Sequence, residues 1–336
     1  MRNVFSHLPR AALALLPTPL ERGPRLASGQ RLWVKRDDLT GLGMGGNKVR
    51  KLEFLCGEAI RAAARSLVTV GAAQSNHCRL TAAAGAVLGI EVHLVLSGER
   101  PQHPAGNQLL SALFGAQLHY TGAHESHWGE LMIAADSLAE ELAADGLAPY
   151  TIPIGGSTAT GALGYAAAFV ELMEQCATVG LEPAAVVHTS SSGGTHAGLV
   201  TGRALWRSLG HQVPEVLAIG VAKGVNAGTP DIVELAGDAL ELLERPVGLV
   251  VGSDVQFDPD WLGDDYAVPT AAGDDAMRWA AATGAWVLDR TYTGKGMAGL
   301  LGNSANGRWA PGADVIFVHT GGMPAVFAPG GAPETP

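Results

Sequence analysis

The sequence predicts an α/β protein with mainly parallel strands and helices on both faces of the sheet. Short β-branched segments flanked by turns alternate with alanine-rich stretches of helical length along almost all of the 336 residues. Such alternation is typical of parallel strands joined by crossover helices. Apolar residues make up 47% of the chain and charged residues 16%, so a sizeable core can be buried. Many of the 45 glycines stand at predicted strand ends, where ligands bind in folds of this class.

The predicted elements follow one another in the order that this fold requires. Strands are predicted at 32–35, 67–70, 92–96, 185–188, 216–221 and 315–319. Between them, helices are predicted at 48–65, 80–88, 127–144, 162–175 and 196–209. The length allows two modest domains that share one cleft.

The charge and the cysteine content exclude several classes of partner. The formal net charge is −10 and no basic tract occurs, which argues against nucleic acid and against an anionic membrane. Cys56, Cys78 and Cys176 lie far apart, which is typical of reduced thiols in the cytoplasm. The apolar run at 11–16 is too short for a secretory signal or a membrane span. We therefore expect a cytoplasmic protein that acts on a small molecule.

A glycine-rich turn at 41–46 leads into Asn47 and Lys48, where a helix is predicted to begin. We expect the Asn47 side chain to cap that helix. Lys48 and Lys51 are three residues apart and share a helix face. Because the helix dipole, Lys51 and Arg50 are near, Lys48 should lose its proton more easily than a solvated lysine. A neutral amine is what imine formation needs. Solvated charges at the start of an ordinary helix are the alternative.

Two nucleotide-binding motifs compete for this turn. Gly41, Gly43 and Gly46 satisfy G-x-G-x-x-G, but the acidic residue expected about 20 residues later at a strand end is missing. A nucleotide P-loop needs Ser or Thr after its lysine, and Val49 stands there instead. A dehydrogenase remains an alternative that rests on one motif.

A second polar turn, at 74–79, follows the strand predicted at 67–70. The N–H groups at the start of the next helix can hold a carboxylate, and Ser75 and Asn76 add hydroxyl and amide donors. Simple capping by Ser75 or Asn76 is the alternative. His77 beside Cys78 has no further ligand at suitable spacing, so we predict no metal site.

A third turn, at 189–195, is rich in serine, threonine and glycine and leads into the helix predicted at 196–209. Such a turn makes a compact cradle for an anion, because the backbone can approach closely and the helix dipole favours phosphate. The cradle lacks a P-loop lysine, so it suits a singly attached phosphate such as that of pyridoxal phosphate. A plain Ser/Gly loop is the alternative. The segment at 155–159 is not a nucleophile elbow, because its closing glycine is missing.

Taken together, these motifs resemble the pyridoxal-phosphate fold of the tryptophan synthase β-subunit type, fold type II. Within it, the chain resembles the branch that contains D-cysteine desulfhydrase, L-cysteate sulfo-lyase and 1-aminocyclopropane-1-carboxylate deaminase. The specific pieces are GGNKVRKLE at 45–53 and QSNH at 74–77, and the resemblance runs from 17 to 324. It implies two open, twisted, mainly parallel sheets covered by helices.

The resemblance implies a role for each site residue. Lys48 would carry the Schiff base of pyridoxal 5'-phosphate and move the Cα proton. Asn76 would bind the ring hydroxyl. The phosphate would be held by Lys51, Ser192, Gly193, Gly194 and Thr195. The small amino-acid substrate would contact Ser75, Asn76, His77, Gly156 and Tyr292, with Tyr266 beside them, and Ser75, Tyr292 and Tyr266 would join Lys48 in catalysis.

Two positions separate members of this branch. The resemblance leads us to expect glutamate after the tyrosine and leucine after the last histidine in the cyclopropane deaminases. This chain has Thr293 and Thr320 there. A threonine hydroxyl favours a neutral pyridine ring, which should suffice when a good β-leaving group departs. The resemblance therefore implies a lyase that converts D-cysteine to pyruvate, ammonia and hydrogen sulfide by α,β-elimination.

Several departures from the family pattern keep other substrates open. Leu80 stands where glutamine is common, Arg290-Thr291 replaces Pro-Val, and Thr158 replaces asparagine. Lys223 could recognise an extra acidic group on the substrate, although a solvated loop lysine is an alternative. L-cysteate, 1-aminocyclopropane-1-carboxylate, another β-substituted alanine, and a cofactor-binding protein without turnover therefore remain alternatives.

The resemblance also implies an arrangement of domains and an assembly. We expect a small α/β domain at 57–168. A large domain formed by 1–56 and 169–336 would bind the cofactor, and the cleft would lie between the two. A homodimer is expected by resemblance.

Overall fold

The strands form two sheets in the computed structural model of the chain, which describes residues 2–124, 127–222 and 229–334. The larger sheet has the order β1 (Leu20–Arg25), β2 (Arg31–Lys35), β10 (Asp314–Val318), β7 (Ala185–Ser190), β8 (Glu215–Gly220) and β9 (Gln256–Asp258). The smaller has the order β5 (Gln117–Tyr120), β4 (Glu91–Leu96), β3 (Ser66–Gly71) and β6 (Pro149–Ile152). β1 pairs antiparallel with β2, and the other neighbours pair parallel, as predicted.

Helices cover both sheets. They are α1 (Lys48–Arg61), α2 (Asn76–Leu88), α3 (Gly106–Leu113), α4 (Trp128–Ala144), α5 (Ala159–Thr178), α6 (Gly194–Ser208), α7 (Thr229–Leu242), α8 (Ala271–Gly284), α9 (Thr293–Ala305) and α10 (Met323–Val326). The prediction extended α1 to residue 65, but Ala63 has a φ of +53°, which a helix cannot contain. α2 begins four residues before its predicted start, so Asn76 and His77 belong to its first turn.

Each sheet has a hydrophobic core on both faces. Neighbouring residues of β10 show this, because side chains alternate along a strand: Ile316 joins the core under α5 and α6, and Phe317 joins the core under α8 and α9. In the smaller sheet, Leu67 faces α1 and α2, while Val68 faces α4. Strands buried on both faces read as continuous apolar runs, which is why the sequence revealed β3, β7, β8 and β10.

α1 is fixed by close contact with α5. A Cβ on Gly164 of α5 would lie 2.2 Å from the carbonyl oxygen of Arg50 in α1, so only glycine allows the two helices to approach this closely. This packing sets the position of the first turn of α1, which carries Lys48 and Lys51.

The predicted domain limits stay a prediction. The four strands of the smaller sheet fall between residues 66 and 152, and the strands of the larger sheet fall outside that range. The limits at 56/57 and 168/169 lie inside α1 and α5, which continue through them. Among the described residues, no helix combines the length and the apolar character needed to cross a membrane.

Candidate active site

One cleft gathers the three turns that the sequence analysis singled out. It lies where the chain leaves β3, β7 and β10 and enters the first turns of α1, α2 and α6. About 710 Å³ of it is not filled by protein atoms, and part of that space is open solvent. Ten of the predicted site residues line it: Lys48, Ser75, Asn76, His77, Ser192, Gly193, Thr195, Tyr266, Tyr292 and Thr320. Cavities of this size hold small ligands and cofactors.

Lys48 brings its amine into the cleft from the first residue of α1. Its Nζ lies 3.3 Å from the carbonyl oxygen of Gly155. Burial lowers the pKa of Lys48 from 10.5 to about 8, so part of the amine is neutral near neutral pH. The direction of the shift agrees with the prediction, but the predicted causes do not. Burial lowers this pKa, whereas the hydrogen bond with Lys51 raises it, and Arg50 does not contribute. Arg50 points elsewhere and pairs with Asp37 and Glu171.

The predicted cap on α1 is wrong. Asn47 itself has helical backbone angles, and its side chain makes no capping hydrogen bond. Its Nδ2 instead donates to Oγ1 of Thr195 at 3.1 Å, and its backbone N–H donates to the Thr320 carbonyl at 3.0 Å. Asn47 therefore joins the start of α1 to the start of α6 and to the end of β10.

Lys51 lies one turn later and is fully buried behind the cleft wall. Its Nζ donates to the Gly155 carbonyl at 2.7 Å and to Oγ of Ser157 at 3.3 Å. Burial, and then the charge of Lys48, holds the pKa of Lys51 well below its usual value. Among the described residues, no carboxylate forms an ion pair with this amine.

Ser157 connects Lys51 to the start of α6. Its Oγ accepts from the Gly194 N–H at 3.2 Å and donates to Oγ of Ser192 at 2.8 Å. A Cβ on Gly155 would lie 2.2 Å from Oγ of Ser192, and one on Gly194 would lie 2.6 Å from Nζ of Lys51. Glycines therefore let the backbone come close to an amine and two hydroxyls at a helix N-terminus. This donor set fits a phosphate group.

The first turn of α2 forms the opposite wall. Oγ of Ser75 accepts from the Cys78 N–H at 3.2 Å, so the capping interpretation of Ser75 is confirmed. The cap does not remove Ser75 from the cleft, which it lines together with Asn76. The first N–H groups of a helix have no partner within it, so this turn can receive a carboxylate.

His77 is neutral, and its tautomer follows from its neighbours. Oγ1 of Thr69 donates its one proton to the Ile152 carbonyl at 2.7 Å and lies 2.9 Å from Nε2 of His77. Nε2 must therefore carry the proton, which leaves Nδ1 as an acceptor. Burial holds the pKa of His77 well below its usual value. A Cβ on Gly156 would lie 3.3 Å from Cε1 of His77, so Gly156 packs behind His77 and does not line the cleft.

Two tyrosines stand at another wall. The hydroxyl groups of Tyr266 and Tyr292 share a short hydrogen bond, and their ring centroids are 6.1 Å apart. Trp128 meets Tyr266 edge-on with centroids 5.1 Å apart. The sequence analysis missed Trp128, because it begins a helix over the smaller sheet and reaches Tyr266 only through tertiary packing. The three rings place two hydroxyl groups against an apolar surface.

The two threonines differ in their position. Thr320 lines the cleft. Thr293 is fully buried below it, where its Oγ1 donates to Oδ1 of Asp289 at 2.7 Å and accepts from the Asp289 N–H at 2.8 Å. Asp289 also accepts from the N–H groups that open α9, a function that the sequence analysis missed. Contact between Thr293 and the cofactor ring remains a prediction.

Three positions at which the sequence departs from the family pattern, Leu80, Thr158 and Arg290, do not line the cleft. Arg290 pairs with Asp274 at 2.6 Å, and Thr158 accepts from the Gly161 N–H at 3.1 Å to cap α5. Leu80 is buried in the core beside α2. Lys223 lies outside the described residues. Among the described residues, no cluster of His, Cys, Asp and Glu could hold a metal ion.

Comparison with known proteins agrees with this site. Residues 11–321 match the profile of the pyridoxal-phosphate dependent enzyme family. The chain is 40% identical to a D-cysteine desulfhydrase of Salmonella choleraesuis (strain SC-B67), over 96% of this chain and 97% of that protein. It is 39% identical to the D-cysteine desulfhydrase of Salmonella paratyphi C (strain RKS4594) over the same shares. A crystal structure of an ACC deaminase homologue superposes with a TM-score of 0.86 and 34% identity, over 97% of this chain and 95% of that one.

The chain therefore belongs to the family of pyridoxal-phosphate dependent enzymes. Its two mainly parallel sheets covered by helices are those of fold type II, as the resemblance implied. The pyridoxal phosphate expected for this family agrees with the lysine amine in the cleft and with the amine, hydroxyl and N–H donors beside it.

Proposed function

We propose that the protein is a lyase that removes the β-thiol from D-cysteine and releases pyruvate, ammonia and hydrogen sulfide. The observation that carries the proposal is one cleft in which a lysine amine, an anion cradle and a pair of tyrosine hydroxyls meet. Similarity to D-cysteine desulfhydrases over 96% of the chain supports it.

The cradle gives the cofactor its orientation. Lys51, Ser157, Ser192 and the start of α6 would hold the phosphate, and Asn76 would face the ring hydroxyl. Lys48 would bond the cofactor covalently through its amine. When bound, pyridoxal phosphate supplies an electron sink that stabilises negative charge at Cα. The packing of α1 against α5 keeps Lys48 fixed relative to that cofactor.

The substrate would bind between α2 and the tyrosines. The first N–H groups of α2, with Ser75, would hold its carboxylate. The Lys48 amine, which would be freed when the substrate amine takes its place on the cofactor, would take the Cα proton. Its lowered pKa favours this, because the neutral amine is the base. The Cβ–S bond then breaks as Cα and Cβ form a double bond. The Tyr266 and Tyr292 hydroxyls would give the departing sulfur a proton, and water converts the released enamine to pyruvate and ammonia.

The substrate class, the oligomeric state, the cellular location and the domain division belong to the same proposal. A small amino acid as substrate is plausible for the family. A homodimer is proposed from the resemblance described above, and a cytoplasmic location from the scattered cysteines. We also propose the division into domains at 57–168 and at 1–56 with 169–336. Sedimentation of the purified protein tests the dimer directly.

Pyruvate release tests the proposed function. Cofactor-loaded protein is mixed with D-cysteine, L-cysteine, L-cysteate or 1-aminocyclopropane-1-carboxylate, and pyruvate and sulfide are measured. We expect fastest turnover of D-cysteine and a loss of at least about 1,000-fold in Lys48→Ala, which lacks both the covalent bond and the base. Tyr150→Phe is the matched control, because Tyr150 bonds Glu58 outside the cleft. Absence of sulfide from D-cysteine would contradict the proposal.

A second function is favoured by the similarity to the ACC deaminase homologue, with its TM-score of 0.86. In that case the protein would consume 1-aminocyclopropane-1-carboxylate, and in the separate assay with D-cysteine it would release no pyruvate. The threonines at positions 293 and 320 favour the lyase, because the resemblance leads us to expect glutamate and leucine there in the deaminases.

A further inference from the structure

Two neighbouring side chains hold the oxygen of the Asn76 side-chain amide on the side away from the cleft. Its Oδ1 accepts from Nδ2 of Asn107 at 3.0 Å and contacts Nη2 of Arg79 at 3.5 Å. Arginine can only donate hydrogen bonds, so the atom that faces it must be the amide oxygen. The Asn76 NH₂ group is therefore left for the cleft that Asn76 lines.

Asn107 has its own orientation fixed by the backbone. It is almost fully buried in the first turn of α3, and its Nδ2 donates to the Gln74 carbonyl at 2.8 Å. A carbonyl oxygen can only accept, so the NH₂ end of Asn107 must face Gln74. Its second proton then points to Oδ1 of Asn76. The backbone N–H of Asn107 donates to Oε1 of Gln74 at 2.8 Å and fixes that side chain as well.

Arg79 adds a buried positive charge. Its guanidinium donates to the carbonyl oxygens of Gly43 and Gly45 in the glycine turn that precedes Lys48. Among the described residues, it forms no ion pair with a carboxylate. Burial lowers the pKa of Arg79 to about 10, so it is still charged at neutral pH. A buried cation of this kind is stabilised by any anion that binds nearby.

We propose that Asn107 and Arg79 are positioning residues that make Asn76 a receptor for an ionised oxygen on the cofactor ring. The inference rests on the proposed placement of the ring hydroxyl at Asn76 and extends it to two residues outside the cleft. An amide locked with its NH₂ group inward can donate to an oxygen but cannot accept a proton from one. The ionised oxygen is therefore favoured over the neutral hydroxyl, and the Arg79 charge acts in the same direction.

The absorption spectrum of the loaded enzyme tests the proposal without any substrate. The bound cofactor absorbs in the visible when its ring oxygen is ionised and in the near ultraviolet when that oxygen is protonated. In Arg79→Met we expect the ratio of visible to near-ultraviolet absorbance to fall at least about tenfold, the change that one pK unit represents. Asn107→Ala should lower the ratio less. Asn303→Ala is the control, because Asn303 bonds Asp258 and Gly299 elsewhere.

Binding of two ligands that differ only in the ring hydroxyl distinguishes a positioning role of Asn107 and Arg79 from a general loss of structure. Pyridoxal phosphate and its analogue without the ring hydroxyl are titrated into cofactor-free Asn107→Ala and Arg79→Met. We expect weaker binding of pyridoxal phosphate and unchanged binding of the analogue. An equal loss for both ligands would overturn the proposal, since the residues would then only maintain the fold.

Asn76→Asp tests the proposal even if Asn107→Ala and Arg79→Met do not fold. The carboxylate has the shape of the amide and still accepts from Asn107 and Arg79, but it offers the cofactor no donor and neutralises Arg79. We expect the visible band to give way to the near-ultraviolet band. An unchanged spectrum would overturn the proposal. Because no substrate is added, failure of D-cysteine turnover in the native protein would contradict the proposed function and leave these spectra unaffected.

Discussion

Two clusters of buried cations lie on different faces of α1, and they differ in what balances their charge. The compensated cluster consists of Lys35 and Arg50 with Asp37 and Glu171. Arg50 donates to both oxygens of Asp37 at 2.8 Å and to Glu171 at 2.9 Å, while Lys35 pairs with Glu171 at 2.5 Å. Burial alone would lower the pKa of Arg50, but the two carboxylates outweigh it and raise the pKa well above its usual value.

The uncompensated cluster consists of Lys48, Lys51 and Arg79. These side chains contact carbonyl, amide or hydroxyl oxygens, and burial lowers the pKa of each of them. No carboxylate of the described chain pairs with them. Burying a charge without a partner is costly, and such groups shift their pKa towards the neutral form.

The difference separates structural cations from cations that serve a ligand. A cation that the chain itself neutralises contributes to the fold, whereas one left without a carboxylate near a cleft is suited to an anion from outside. Lys48, Arg50 and Lys51 lie within four consecutive residues and still divide between the two clusters. The comparison therefore predicts that substitution lowers stability in the compensated cluster and lowers ligand affinity in the uncompensated one.

The largest expected effect is loss of stability in the compensated cluster. Arg50→Met would leave Asp37 buried without its ion pair and would leave Lys35 to balance Glu171. We expect the free energy of unfolding to fall by about 3–5 kcal/mol, measured by urea denaturation of the protein without cofactor. Arg278→Met should change it by about 1 kcal/mol or less, because Arg278 pairs with Asp275 on the surface. Equal effects of the two substitutions would remove the distinction between the clusters.

The next effect concerns Lys51. Lys51→Met removes a buried amine that no carboxylate balances, so the cofactor-free protein should keep its stability within about 1 kcal/mol. The affinity for pyridoxal phosphate should fall about 10- to 100-fold, which corresponds to about 1.5 to 3 kcal/mol of charge-assisted hydrogen bonding. Binding of pyridoxal, which has no phosphate, is the control and should change little. A similar loss for pyridoxal would show that Lys51 does not act on the phosphate.

Much of the fold could be predicted from the sequence, because the central strands are buried on both faces. The half-exposed strands β5 and β6 have four residues each, which is too short for a clear alternating pattern, and they were missed. α8 and α9 were missed because small and polar residues interrupt their apolar pattern. Their packing against the larger sheet stabilises them, and tertiary contacts of that kind leave no local signal.

The turns that line the candidate site could be predicted from the sequence, but the residues that hold those turns in place could not. The residues near Lys48, Ser75 and Ser192 stand in recognisable strand-to-helix turns. Ser157 and Asn107 reach the site from segments with no such pattern, and each acts through a hydrogen bond to a distant residue. The sequence also assigned Arg50 to the environment of Lys48, because only the structure shows that Asp37 and Glu171 bind it.

The smallest expected effect is a pH dependence of stability that comes from Lys48 in the uncompensated cluster. The pKa of Lys48 is about 8 in the folded protein against a usual value of 10.5, so between these values the unfolded chain binds more protons. The free energy of unfolding should therefore rise with pH above about 8.

The buried thiols oppose this rise, since burial raises the pKa of Cys56, Cys78 and Cys176 from 9.0 to about 12. The contribution of Lys48 must therefore be read as a difference between the native protein and Lys48→Met, in urea titrations without cofactor. The native protein should gain more stability than the variant as the pH rises from about 8 to about 9. If the stabilities of the two proteins changed in parallel with pH, the pKa of Lys48 would not be lowered in the folded protein, and this prediction would be contradicted.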